Sequence, residues 1–216
     1  MSGIVIAMDG PAGAGKSTVG RAVARRLGLQ YLDTGAMYRA VAFAALREGI
    51  AVHDHEPVAE LARRIDLVVD QDGTVTVDGV DATAAIRGRE VTESVGAVAG
   101  NTPVRDELRC RQRAWADERG GGVIEGRDIG SVVFPDATLK LYVTASPRTR
   151  AERRVREIGG DVDEVEASIT ERDRRDMNRA DGPLVAADGA IVVDTTGLSI
   201  DEVVERVIEL LPDGVR

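Results

Sequence analysis

The sequence predicts an α/β fold: a doubly wound, mainly parallel sheet with helices on both faces, a small antiparallel hairpin insert and a helical lid. Three observations carry this expectation. Short apolar runs of strand length alternate with segments of helical period along most of the 216 residues. The first apolar run opens directly onto a glycine-rich turn. One stretch, residues 66–80, leaves the alternation for a period of two with two Asp-Gly turns.

Residues 3–8 form an apolar run of the kind buried on both faces of a parallel sheet. From Ser17 onward, Val19, Ala22, Val23, Ala24 and Leu27 recur at helical spacing and stop at Gly28, a natural residue just past a helix end. Residues 31–33 read as a second strand. A second helix follows, with Thr34 near its N-cap and Gly49 past its end. The region 66–80 reads as the hairpin, part of an insert expected over 66–95. Residues 101–119 read as a helix ending before the glycines at 120–122, and VIEG at 123–126 as the next core strand. LKLYVTA at 139–145 is another strand, and Pro147 suits the first turn of the helix after it. Residues 161–180 read as a charged helix, AIVVDTT at 190–196 as the last strand, and SIDEVVERVIELL as a last amphipathic helix opening on a capping box. No repeat, low-complexity tract or long linker interrupts the chain. It is expected to be a single domain over 1–216, with 148–180 as the lid.

Composition narrows the function. A formal charge of −9 makes the molecule repel phosphate backbones and anionic membranes, so neither a nucleic-acid polymer nor a membrane is an expected partner. The single cysteine, Cys110, excludes an internal disulfide and reads as a small buried thiol on a helix. The N-terminal stretch lacks the basic region and the length of a signal or spanning segment, so a cytoplasmic location is expected. A monomer is expected too. Of the 28 basic residues only Lys16 and Lys140 are lysines. One of those two sits in the glycine-rich turn.

That turn, GPAGAGKST, matches G-x-x-x-x-G-K-[ST] in full and lies between a strand and a helix, as the motif requires. Gly10, Gly13 and Gly15 let the backbone curl so that several N–H groups point at phosphate oxygens, Pro11, Ala12 and Ala14 complete the ATP-binding turn, and the helix adds the positive end of its dipole. Lys16 is placed to reach the β and γ phosphates. Ser17 is placed to ligate Mg²⁺, and Thr18 to touch the α phosphate. The motif predicts ATP binding through a P-loop NTPase-like fold; it does not give the reaction.

Two broad readings follow: a nucleotide-gated switch or ATPase, and a kinase for a small acceptor, of which a shikimate-kinase-like enzyme is one form. A guanine-reading Asn-Lys-x-Asp motif is absent from the sequence. Glu125 could imitate the water-polarising glutamate of an ATPase. The arginines favour the kinase. Arg39, Arg105 and Arg127 each follow a strand or lie near a helix start, at the carboxyl edge of the sheet, where forked guanidinium groups would hold a second, dianionic ligand. Arg148, Arg156, Arg174 and Arg175 read instead as a solvated helical face.

The stretches GPAGAGKST, YLDTGAMYRA, EGRDIGSVVFPDA and RDRRDMNRADGPL resemble, in order and spacing, the bacterial-type cytidylate kinases among the nucleoside monophosphate kinases. The resemblance runs over essentially the whole chain. It implies phosphoryl transfer from Mg²⁺-bound ATP to CMP, and to dCMP, with the 66–95 insert as the CMP-binding part. It further implies that Thr34, Tyr38, Arg39 and Arg105 serve the CMP site, with Arg39 and Arg105 on its phosphate. Arg127 and Asp128 would hold the cytosine, and Arg172, Asp176 and Arg179 would be the closing arginines with their orienting acid. Lys16, Arg127, Arg172 and Arg179 are then the residues expected at the reacting phosphates. Arg153 or Arg154 is a candidate to stack on adenine, and Asp33 to hold a water of the metal. One departure stands out: Gly96 occupies a place where the family often carries a base- or sugar-contacting serine, for which Ser94 would substitute only by a shift of helix register.

Overall fold

A computed structural model describes residues 3–213. From the N-terminus the elements run β1 (Ile4–Asp9), α1 (Lys16–Leu27), β2 (Tyr31–Asp33), α2 (Thr34–Arg47), α3 (His55–Arg64), β3 (Leu67–Val69), β4 (Val75–Val77), β5 (Val80–Asp81), α4 (Arg89–Ala99) and α5 (Thr102–Arg119). They continue with β6 (Gly121–Gly126), β7 (Leu139–Thr144), α6 (Pro147–Ile158), α7 (Val162–Met177), β8 (Ile191–Asp194) and α8 (Ile200–Glu209). The chain forms two compact units, one of Tyr31–Arg119 and the other of the segments on either side. The α/β class is the one the sequence predicts, and the expected 66–95 insert lies wholly inside the first of these units.

In the unit formed by the two chain ends, parallel strands stand in the order β6-β1-β7-β8. Ile6, Ala7 and Met8 of β1 are fully buried, as are Val123 and Ile124 of β6 and Val143 of β7. Such strands have no wet face, which is why their sequences are continuous apolar runs. Helix α1 starts on the glycine-rich turn. Gly15 caps it with φ 91°, and Gly28 ends it with φ 65°, its N–H returned to Ala24 and Arg25 carbonyls. The capping box at α8 forms as the sequence predicts, Ser199 and Glu202 each accepting from the other's backbone N–H.

The Tyr31–Arg119 unit holds β2, helices α2 to α5 and the antiparallel sheet β3-β4-β5. The expected hairpin thus gains a third strand. The β4–β5 turn has positive φ at both Asp78 (51°) and Gly79 (75°), the left-handed pair that a tight two-residue hairpin needs. The β3–β4 connection is longer. Helices α3 and α4 add to the expected elements; they bury Val58, Ala59, Leu61 and Ala62, and Val91, Val95 and Val98, each at helical spacing.

Cys110 is a correction. It lies on a helix as expected, but it is exposed. The buried face of α5 carries Val104, Arg105, Leu108, Arg109, Gln112 and Ala116. At about 100° per residue, position 110 points roughly opposite to Leu108 and Gln112.

Gly10 shows why the turn after β1 demands glycine. Its φ is 148°, and a Cβ there would lie 1.9 Å from the Val143 carbonyl oxygen of the neighbouring strand. Gly10→Ala must therefore push β1 from β7 or rotate the turn. We expect a loss on the order of 3 kcal/mol of unfolding free energy, measured by urea denaturation; a variant within 0.5 kcal/mol of the parent, roughly the scatter of neutral surface changes, would contradict this packing.

Candidate active site

The glycine-rich turn is held from outside by its own unit. Arg150 of α6 donates through Nε to the Ala145 carbonyl (3.0 Å) and through Nη1 to the Ala12 carbonyl (3.2 Å) and to Asp173 of α7. Asp173 Oδ1 accepts from the Ala12 N–H at 3.4 Å. The hydroxyl of Thr195 lies 3.1 Å from the Ala14 carbonyl, and Arg153 donates to that hydroxyl (2.9 Å) and to the Thr195 carbonyl (2.8 Å). With the Ala12 and Ala14 carbonyls tied down, the N–H groups that follow at the start of α1 are left for an anion.

Lys16 is 7% exposed and donates from Nζ to the Pro11 carbonyl at 2.8 Å, folded back over its own loop. Ser17 and Thr18 lie exposed in the first turn of α1. Ser17 Oγ donates to Glu125 Oε1 at 2.6 Å. Glu125, at the carboxyl end of β6 and 5% exposed, was absent from the expected site residues. The signal was there: a lone acid inside a wholly apolar strand that ends beside the phosphate loop is too costly to bury without a task.

The GRD segment follows the same strand. Arg127 Nε donates to Asp176 Oδ2 at 3.0 Å, the pair being about four-fifths buried. Asp176 also stands 3.9 Å from Arg179, whose guanidinium is fixed on the Asp181 and Gly182 carbonyls. One acid thus orients two of the expected arginines, and Arg172 lies half-buried on the same helix. Asp128 is 5% exposed and makes no capping bond to the single π-helical turn Ile129–Val133 that it precedes. That turn, with i→i+5 bonds from Val133 N–H to the Asp128 carbonyl and from Phe134 N–H to the Ile129 carbonyl, is a local irregularity typical of functional sites. Arg148, Arg174 and Arg175 pair on the surface with Asp163, Glu166 and Glu171, the solvated face the charge pattern predicts.

Asp9 joins the phosphate loop to the GRD segment. Its two carboxylate oxygens accept from the N–H groups of Ile129 (2.8 Å) and Gly130 (2.7 Å), so the residue before Gly10 sets the turn after Asp128. Burial pushes its pKa up to about 6, against those two hydrogen bonds and Lys16, which favour the carboxylate; Asp128 adds to the rise.

In the other unit, Asp33 caps α2 by accepting from the Ala36 N–H at 3.0 Å, which makes it, rather than Thr34, the N-cap. Thr34 is buried in the first turn. Arg39 donates to the Ile86 carbonyl and to Thr92 Oγ1, both at 2.9 Å. Arg105 is 1% exposed, donates to the Ala99 carbonyl at 3.2 Å, and has its guanidinium carbon 5.7 Å from the centre of the Tyr38 ring. Of the four expected CMP residues of this unit, Thr34 and Arg105 are buried and Tyr38 and Arg39 partly exposed, and Arg105 lies against Tyr38. Gly96 and Ser94 both lie in α4, two residues and so about 200° apart around the helix, and Ser94 does not take the place of Gly96.

Ser17 and Glu125 present a hydroxyl and a carboxylate at hydrogen-bonding distance, hard oxygen donors that suit Mg²⁺. Among the described residues no group of three or more His, Cys, Asp or Glu could hold a metal by itself.

The Asp9 pKa fixes the sign of one prediction. A folded-state pKa raised from 3.8 to about 6 contributes stability that is complete below the unfolded value and is lost as pH rises through the folded one. Asp9→Asn removes that dependence. The melting temperature of the variant relative to the parent should rise steadily between pH 4.5 and 7.5, by the equivalent of roughly 2–3 kcal/mol. Parallel curves would mean that Asp9 titrates normally.

A family model described as cytidylate kinase matches residues 6–213. The cytidylate kinase of Desulforamulus reducens is 50% identical over 216 residues, spanning 97% of this chain and 97% of that protein. That of Desulfitobacterium hafniense is 47% identical over 217 residues, spanning 97% and 93%. Among solved structures, the Thermus thermophilus protein TT1252 is similar with a TM-score of 0.52 and 21% identity, over 97% of this chain and 96% of that one, a likeness of fold alone. A model match of this length, with relatives at half identity end to end, means that the chain belongs to the cytidylate kinase family.

Proposed function

We propose that this chain transfers the γ-phosphoryl group of ATP to the 5′-phosphate of CMP, and of dCMP, giving ADP and the pyrimidine diphosphate. The observation that carries the reading is the glycine-rich turn with its carbonyls tied outward at Ala12 and Ala14 and Lys16 buried beside it, in a chain of this family. A shikimate-kinase-like enzyme, a switch or an ATPase is not favoured by such relatives.

The chemistry needs no general base. The attacking oxygen belongs to a phosphate already ionised near neutral pH, so the task is to hold two polyanions in line and neutralise the moving group. Backbone N–H groups from Gly13 to Thr18 take the ATP phosphates. Lys16 leaves the Pro11 carbonyl for the β and γ phosphates, an exchange that costs one hydrogen bond and gains a charge-assisted one. Ser17, with Glu125 behind it, would hold Mg²⁺, which supplies charge neutralisation at the phosphates when bound. Asp33 is engaged as the α2 cap, so Glu125 is the better candidate for the metal's waters. Arg153, held edge-on by Thr195, offers its face to adenine.

For the acceptor, Arg39 and Arg105 bind the CMP phosphate, with Thr34 and Tyr38 alongside, and Arg127 with Asp128 reads cytosine. A carboxylate accepts from the cytosine N4 amino group but faces the O4 of uracil with repulsion. Arg172 and Arg179 meet the transferring phosphoryl group, Asp176 keeping Arg127 and Arg179 aimed. The segment 148–180 excludes water when it closes, which protects ATP from hydrolysis. The enzyme works in the cytoplasm as a monomer; among the described residues no helix is long and apolar enough to cross a membrane.

Lys16→Ala should fold normally yet lose about a thousandfold in turnover, read in a coupled ADP-release assay with CMP, dCMP, UMP and AMP as acceptors. Turnover within tenfold of the parent would remove Lys16 from the chemistry. Asp128→Ala should cut kcat/KM for CMP by about a hundredfold while ADP affinity, by calorimetry, stays within twofold. Equal weakening of both ligands would make Asp128 a structural residue.

A further inference from the structure

Arg150 and Asp173 form a buried ion pair, their side chains each 7% exposed, between α6 and α7. Taking two charges out of water is costly, and an apolar pair of similar volume would join the two helices as well. The pair's remaining hydrogen bonds indicate its use. Arg150 reaches the Ala12 carbonyl, Asp173 the Ala12 N–H, and Arg150 Nε is fixed in turn on the Ala145 carbonyl at the end of β7. Gly13 lies so close over Arg150 that a Cβ there would approach the Arg150 Cβ to 3.1 Å and its carbonyl oxygen to 3.2 Å. Both polar backbone groups of Ala12 are thereby committed away from the phosphate side, and the loop cannot turn a carbonyl inward at that point without breaking a charge-assisted bond.

We propose that Arg150 and Asp173 are positioning residues for the ATP phosphates: they fix the Ala12 backbone, and through it the direction of the N–H groups from Gly13 onward. The pair also ties the base of the α6–α7 hairpin to the loop. Any closing movement of the 148–180 segment is then confined to the part beyond Arg150 and before Asp173. The proposal rests on the reading that residues 10–18 hold ATP.

Three variants test it: Arg150→Lys, Asp173→Asn, and the apolar double variant Arg150→Met/Asp173→Leu. Melting temperature, ADP affinity by calorimetry, and KM for ATP and for CMP are measured for each. The double variant should melt within a few degrees of the parent, because apolar replacements of buried pairs are tolerated. Its KM for ATP should rise roughly tenfold to a hundredfold, the cost of a misplaced phosphate, with KM for CMP changed by less than about threefold. Asp173→Asn keeps an acceptor for the Ala12 N–H and should shift in the same direction by less. An unchanged KM for ATP in the double variant, or in Asp173→Asn if the double variant does not fold, overturns the proposal. So does an equal rise in both KM values. Lys16→Ala is the reference: unaltered ATP use there would overturn the reading of the loop itself, independently of the pair.

Discussion

A loop that binds phosphate through backbone N–H groups must send its own carbonyl oxygens elsewhere, because every carbonyl turned inward repels the ligand it is meant to hold. In this chain that requirement is met by side chains brought from distant sequence: Arg150 at the Ala12 carbonyl, with Asp173 holding Arg150 and accepting from the Ala12 N–H, and Thr195 and Arg153 at the Ala14 carbonyl. The glycines permit the curl, but they do not choose its direction. Gly10 adds a second constraint, since the loop leaves β1 against the Val143 carbonyl with no room for a side chain. The rest of the unit, from the parallel strand order to the placing of α6 and α7, serves to keep those partners where the loop needs them.

Buried charge recurs wherever the site has to be rigid. Asp9, Lys16, Glu125, Asp128, Arg150 and Asp173 are all buried; Asp9 and Lys16 meet backbone groups, Glu125 a hydroxyl, and Arg150 and Asp173 each other. Such groups lower stability relative to apolar packing, as the raised pKa of Asp9 reflects. Their return is geometric. Two carboxylate oxygens on two successive N–H groups set a turn more tightly than an apolar contact could, and a largely buried Asp176 aims two arginines that would otherwise sample many rotamers.

Much of this was legible in the sequence. The motif GPAGAGKST places its residues with little freedom, and the order of strands and helices follows from period and caps: Gly28 ends α1, Pro147 opens α6, and Ser199 with Glu202 closes the box at α8. The surface arginines of α7 were also readable, because a charge paired three or four positions away on a helix is a local feature. The misses have a common cause. Cys110 is exposed and Arg109 and Gln112 are buried because the face of α5 that is covered depends on what lies against it, and a residue's polarity alone does not state that. Thr34 stands next to the N-cap of α2 as expected, and Asp33 supplies the cap itself.

The sequence by itself determined the phosphate loop, the alternation of strands and helices and the kinship of the chain, since each rests on residues close together along the chain or in a fixed order. Tertiary structure alone decided which acid stands at Ser17, which pair holds Ala12 and which carboxylate sets the turn after Asp128. Glu125 is 108 residues from Ser17, Asp173 161 from Ala12 and Ile129 120 from Asp9. Contacts at such separations are made by the crossing of parallel strands, whose carboxyl ends gather residues that no local pattern relates.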